Sequence, residues 1–247
     1  NSCFLKMEDR TNLDLDSGDN SLTMTTTGNL TATYDNPSNN FATLNPLTKD
    51  EGGAKTYSNG NTTVAETANS WTSAHSSLAV SAGKWYFESK VTYTSSDEAY
   101  IGCAAVSEIN SKTASTFYLG QGASIGYYTN SGAIYKDSSS TSYGNSVTTG
   151  QIVGVALDIT NELAYFSING VWQNSADPVA GSGGVAFPTG MTAGEFICLS
   201  VSPNESYLEC NYGNGYFGTT AVSTSESDDA GIGSFEYDVP TGYYALC

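Results

Sequence analysis

Positive charge is scarce in this sequence: 8 Lys and Arg stand against 25 Asp and Glu, a formal net charge of -17 over 247 residues. Such a surface repels phosphate backbones and anionic lipid headgroups, so neither nucleic-acid binding nor membrane-surface binding is expected. Long apolar runs are missing as well. None approaches the roughly 20 residues that span a bilayer, and the opening NSCFLKMEDR lacks signal-peptide architecture. Histidine occurs once, as His75 in WTSAHSSLAV, with no Ser-His-Asp or Cys-His spacing near it. It is expected as a surface or turn residue, not a catalytic base. The five cysteines, Cys3, Cys103, Cys198, Cys210 and Cys247, show no close pair, which argues against a zinc site or redox motif. Cys103 and Cys198 lie in apolar runs and are expected as buried thiols. Cys3 and Cys247 pair only if the chain ends meet, and the odd count leaves at least one thiol free. No stretch shows convincing helical periodicity.

What is abundant is Ser, Thr, Asn, Gly and Tyr, a composition suited to many strands joined by polar turns. The clearest pattern covers residues 150–172. Val153, Val155, Leu157 and Ile159 share one face of a first strand, and Ala164, Phe166 and Ile168 share one face of a second. Thr160, Asn161 and Glu162 supply the turn between them. Asn169-Gly170 tolerates positive φ at both central positions of a type I′ turn, so a third strand is expected from Val171.

Elsewhere, residues 83–93 alternate with Trp85, Phe87, Val91 and Tyr93 on one face. Further strands are expected at 3–7, 21–26, 30–34, 100–106, 117–118, 124–128, 133–136, 196–201 and 207–212. The serine run 138–140 is expected as a flexible tip. Asp14, Asp16 and Asp19, with Gly18 between, form an acidic turn expected to be solvated; calcium is the alternative, although the bidentate Glu of an EF-hand loop is missing. The sequons at Asn29, Asn61 and Asn204 matter only in a eukaryotic secretory pathway. The chain opens in a strand-like stretch and stops at Cys247 without a tail, so it is expected to be the ordered part of a longer polypeptide.

Taken in order, the segments GKWYFE, YIGCAAVS, SIGYY, GQIVGVALD, AYFSINGV, VAFP, FICLSV and CNYGNGYF resemble a SPRY domain. The positions that carry the resemblance are Gly83, Tyr86, Glu88, Ile101, Gly102, Gly150, Gly154, Asp158, Phe166, Asn169, Gly170, Pro188, Asn211, Gly213 and Phe217. Each short motif is weak alone; their order is specific. The resemblance implies an all-β fold, a two-sheet antiparallel β-sandwich of the concanavalin-like jelly-roll type, acting as a binding module through loops at one end. One structural domain is expected: residues 1–70 as strands and loops packed on the sandwich, 71–218 as the core, and 219–247 as an extension returning to it. The flanking segments DNPSNNFATLNPL and FEYDVPTGYYALC resemble those that accompany SPRY-like domains in structural proteins of tailed phages, marine ones particularly.

Three functions follow as expectations. The first is a virion structural protein at the particle surface, part of a tail fibre or related appendage, that contacts a host-surface glycan or protein. Tyrosine and tryptophan stack on sugar rings and asparagine or aspartate bonds their hydroxyls. Tyr127, Tyr128, Asn130, Tyr135, Lys136, Asp137 and Tyr143, grouped around two turns, are the expected surface, although half of the tyrosines would serve as core or edge residues. The second is an architectural capsid-decoration or fibre-shaft protein that binds only other virion subunits, including copies of itself. The third is a polysaccharide-degrading enzyme, which needs two carboxylates facing one cleft. Glu88 with Asp158, or Glu195 with Glu205, are the available pairs, and no motif links either. The expectation is therefore not an enzyme, with no cofactor.

Overall fold

The computed structural model describes residues 2–6, 11–20, 22, 24, 25, 27, 32–36, 38–48, 54–112 and 117–247. Its strands, in chain order, are β1 (Thr56–Ser58), β2 (Thr63–Glu66), β3 (Ala74–His75), β4 (Lys84–Ala105), β5 (Ser124–Tyr128), β6 (Ala133–Lys136), β7 (Ser139–Ser142), β8 (Ile152–Asp158), β9 (Leu163–Ile168), β10 (Val171–Trp172), β11 (Val185–Ala186), β12 (Ile197–Asn211), β13 (Tyr216–Phe217), β14 (Thr220–Ala221) and β15 (Tyr244–Ala245). One short helix, α1 (Val106–Ser111), follows β4. The strands expected at 3–7, 21–26 and 30–34 fall partly outside the described residues, and their described positions form none.

Thirteen of these strands form one hydrogen-bonded network, folded on itself into an antiparallel sandwich by the two long strands. The first half of β4 pairs with β8, which leads to β9, β10 and β11. Its second half pairs with β5, which leads to β6 and β7. On its other side β12 follows β4 along most of its length, pairing outward with β3 near its start and β2 near its end. Beyond the end of β12, β15 joins the start of β4 in parallel, opposite Trp85 and Tyr86.

The strands expected separately at 83–93 and 100–106 are thus one strand, and so are those at 196–201 and 207–212. An irregularity explains why each reads as two. Asn204 pairs with Glu98 but Ser206 pairs with Tyr93, so the single residue Glu205 faces residues 94–97. Glu205 takes a positive φ of 44°. The irregularity reverses the facing of β12, and both Ile197, Leu199 and Val201 before it and Leu208 and Cys210 after it reach the same core. Pro203 sits inside β12 without breaking it. The Ala99 amide and carbonyl opposite bond with Thr129, so the Pro203 nitrogen points away from β4, into the gap between β3 and β2 where no ladder bond is required.

The central core contains Val153, Val155, Leu157, Ile159, Ala164, Phe166 and Ile168, as the alternation predicted. Asn169 (φ 47°) and Gly170 (φ 76°) make the expected tight turn. A Cβ on Gly170 would lie 2.8 Å from the Tyr237 ring. Gly170→Ala is therefore expected to destabilise by about 1–2 kcal/mol, read as a lowered midpoint in thermal or urea unfolding. A second core, on the outer side of the β8–β9 layer, joins Tyr86, Ala156 and Tyr165 to Phe235, Tyr243 and Ala245 of the C-terminal extension.

Two sequence expectations, for His75 and for the serine tip, are corrected, and the state of the cysteines is resolved. His75 is fully buried, because β3 packs it beside β12, where Nδ1 lies 2.8 Å from Ser200 Oγ. All five cysteines are free: Cys3 and Cys247 are exposed thiols and do not pair, while Cys103, Cys198 and Cys210 are buried. The serine tip is strand β7, which closes a hairpin through Asp137 and Ser138, both at positive φ.

Candidate functional site

Strand alternation divides the expected tyrosine surface in two. Tyr127 and Tyr128 are neighbours on β5, so their side chains leave opposite faces. Tyr127 goes inward. It is 0% exposed, its ring lies 5.5 Å from that of Phe166, and its hydroxyl donates to the Asn145 carbonyl at 2.5 Å. Burial pushes that hydroxyl's pKa up. Tyr127 is thus a core residue, not part of a contact surface. Tyr143 also packs on Phe166 and is half-buried, its hydroxyl donating to the Gly183 carbonyl at 3.0 Å.

Lys136 and Asp137 fasten the β6–β7 hairpin to β11 and the chain just after it. Lys136 Nζ donates to the Ala186 carbonyl at 2.9 Å, and Asp137 Oδ1 accepts the Thr189 amide at 3.0 Å. Asn130 is exposed at the β5–β6 turn.

Tyr128 and Tyr135 go outward and meet three rings that the sequence reading did not assign to the site: Trp71, Tyr100 and Tyr118. Tyr100, buried at the centre, stacks on Tyr118 at 5.2 Å and on Tyr128 at 4.8 Å. Tyr135 meets Tyr100 edge-on at 5.2 Å and Tyr128 edge-on at 5.4 Å. Trp71 closes the other side, 4.9 Å from Tyr100 and 5.1 Å from Tyr118. Gly126 permits this crowding, since a Cβ there would lie 2.9 Å from the Tyr100 ring and 2.8 Å from Leu119 Cβ. The signal available in the sequence was the even-numbered face of residues 98–104, which carries Tyr100 opposite Tyr128.

One carboxylate orients the cluster. Glu98 accepts the Tyr128 hydroxyl at 2.6 Å and the buried Asn204 amide at 2.8 Å. Burial, and then this bond to Glu98, raise the Tyr128 hydroxyl's pKa, keeping it a proton donor at neutral pH. Trp71, Tyr118, Tyr128 and Tyr135 are all half-buried, leaving part of each ring open. Beside them is a cleft of about 420 Å³ lined by Lys112, Tyr118, Gly120, Gln121, Tyr135 and Ser138. Rigid aromatic edges beside a polar cleft suit stacking against a sugar ring or a planar side chain.

The acidic pairs do not build a two-carboxylate cleft. Glu88 is fully buried and accepts the backbone amides of Glu236 and Tyr237, both at 2.9 Å, and the Tyr86 hydroxyl at 3.1 Å. Asp158 is also buried, and it pairs with Lys84 at 3.0 Å and takes two bonds from Asn161. Burial works to raise its pKa, but the bonds from Asn161 and Lys84 outweigh it and hold the carboxyl below its ordinary value. Glu195 accepts the Ser107 hydroxyl, and Glu205 serves the irregularity in β12. The His75–Ser200 pair has the spacing of a base and nucleophile, but both residues are fully buried, out of reach of a substrate.

Asp14, Asp16 and Asp19 do not converge on an ion. Asp16 turns inward and accepts the amides of Phe4, Gly18 and Leu22 at 2.9 to 3.0 Å, which hold its pKa below the ordinary value. Among the described residues no group of three or more His, Cys, Asp or Glu is placed to hold a metal ion.

No curated protein gives a significant match to this chain. The family model described as SPRY domain matches residues 84–208, from the start of β4 into the second half of β12. That segment holds β4, most of β12, the central meander and four of the five clustered rings, and it is half of the chain. The chain belongs to the SPRY domain family.

Proposed function

We propose that this protein is a non-catalytic virion structural protein, a component of a phage tail fibre or related appendage, whose SPRY domain contacts a host-surface molecule. The observation that carries the binding reading is the cluster of Trp71, Tyr118, Tyr128 and Tyr135 around Tyr100. A core tyrosine needs no such ring of half-open partners, and large, stiff aromatic groups with few rotatable bonds give contact area at low entropic cost. The flanking segments, similar to those of phage structural proteins, support the virion setting, and a net charge of -17 favours solubility at a particle surface. SPRY domains are interaction modules, and Glu88, Asp158 and Glu195 are engaged in structural bonds, which supports a binding role without chemistry. Neighbouring subunits of the particle, including other copies of this chain, are the remaining partners.

The test is adsorption of the recombinant chain to host-envelope extracts and to immobilised envelope polysaccharide. Tyr118→Ala and Tyr135→Ala are each expected to weaken binding about tenfold or more, whereas Tyr207→Ala, on a distant exposed position of β12, leaves it unchanged. Equal binding by all three variants would remove the aromatic face from the reading. If the face is covered by neighbouring subunits in the assembled particle, the architectural role replaces receptor contact.

A further inference from the structure

A second concave surface lies on the other layer of the sandwich. It is a groove of about 580 Å³ whose lining includes Trp172, Asp177, Pro178 and Val179 from the segment after β9, and Asp238 and Pro240 from the C-terminal extension. Only the first wall lies within the matched SPRY segment. The second is held in place by the Glu88 carboxylate, through the Glu236 and Tyr237 amides, and by the Tyr243 hydroxyl, which donates to the Pro178 carbonyl at 3.3 Å. The groove is therefore a composite that the extension adds to the domain.

Its chemistry selects an occupant. Trp172 is steadied by an edge-on contact with Tyr86 at 6.5 Å and stays half-buried, presenting part of its indole. Val179 is 58% exposed. Pro178 and Pro240 are buried beneath the walls and have no amide hydrogen, so the apolar surface the groove presents comes from Val179 and the half-buried Trp172 and Val239. An extended, polyproline-like peptide fits such a surface, because it brings its own shape at little entropic cost. Asp177 and Asp238 are both exposed, and among the described residues no Lys or Arg lines the groove. An aromatic face beside two carboxylates favours a cation. The same charges, on a chain of net charge -17, disfavour an acidic peptide, a nucleic acid or a second copy of this chain.

We infer that this groove binds an extended segment of a partner protein in which a lysine or arginine is flanked by proline or aliphatic residues. Trp172 and Val179 hold the apolar residues, and Asp177 and Asp238 hold the cation. The inference stands apart from the receptor reading and uses none of its residues.

The experiment is a selection on the full chain. Immobilised protein is panned against a displayed library of random dodecapeptides, in parallel with the D177N/D238N variant. Both substitutions are isosteric and exposed, and matching circular dichroism and melting curves confirm the fold. The expected result is recovery of peptides with Arg or Lys between proline and aliphatic residues. They should bind the wild type about 5- to 30-fold more tightly than the variant, shift the Trp172 indole resonance, and be indifferent to Y118A/Y135A. Absence of enrichment, enrichment of acidic or uncharged peptides, equal binding to both proteins, or resonance shifts that leave Trp172 unmoved would each overturn the inference.

Discussion

Glu88→Ala is expected to destabilise the protein by about 3 kcal/mol or more, and to free the C-terminal extension first. The carboxylate is the acceptor for two backbone amides and the Tyr86 hydroxyl, and its substitution leaves these buried donors unpaired. Limited proteolysis should then cut within the last twenty or so residues before the sandwich melts, and urea unfolding should give a lower midpoint. Glu88→Gln keeps an acceptor and the side-chain shape, so it separates loss of the bonds from loss of the charge. Burial, opposed by the bonds from Glu236 and Tyr237, lifts the Glu88 pKa from 4.5 to about 7. Below 4.5 both folded and unfolded chains hold the proton; between 4.5 and 7 only the folded chain does. Stability from this group therefore falls as pH rises through that window, by up to about 3 kcal/mol, and is level above it. Asp16 and Asp158 act in the opposite sense and only below the ordinary carboxylate range, since their folded pKa values are lowered. Unfolding free energies of the wild type and Glu88→Gln measured from pH 4.5 to 7.5 should lie close together at the acid end, where both folded side chains are neutral, and separate toward the alkaline end as the wild type loses stability. Parallel curves would refute a buried, ionising Glu88.

Gly102→Ala is expected to cost about 3 kcal/mol or more and to abolish the aromatic face as well. Gly102 pairs with Gly126 across β4 and β5, and an added Cβ would lie 2.1 Å from the Ile125 carbonyl oxygen. Backbone, not a movable side chain, blocks it. The strands must part, and the Tyr100–Tyr128 stack that joins them parts too. Near-ultraviolet circular dichroism should report the lost tyrosine packing even in conditions where far-ultraviolet spectra still show strands. A variant with wild-type melting and an unchanged tyrosine signal would mean that the close approach is relieved at no cost.

The elements that the sequence revealed are those governed by local periodicity. Val153, Val155 and Leu157 could be placed inward, and Asn169-Gly170 assigned to a turn, because neighbours in sequence decide both. Glu88 could be read as a structural carboxylate because it falls on the alternate face of an aromatic strand. What escaped depends on contacts far along the chain. His75 looks polar and exposed in its own segment, and is buried only because β12 arrives beside it with Ser200. Trp71, Tyr100 and Tyr118 are scattered through the sequence and become one cluster only when the second half of β4 pairs with β5. Tyr127 was grouped with Tyr128 by proximity, although a strand sends adjacent side chains to opposite faces. The continuity of β4 and β12 was hidden by polar residues 94–97 and by Pro203, both of which normally mark strand ends.

That continuity has a mechanical meaning. In a sandwich whose layers touch only through side chains, the layers can slide or hinge apart while each stays intact. Here the same two strands, laddered to each other, run through both layers, so neither layer can leave without tearing the ladder that builds its companion. Tension applied along β4 against β12 loads many hydrogen bonds in shear at the same moment instead of unzipping them one after another.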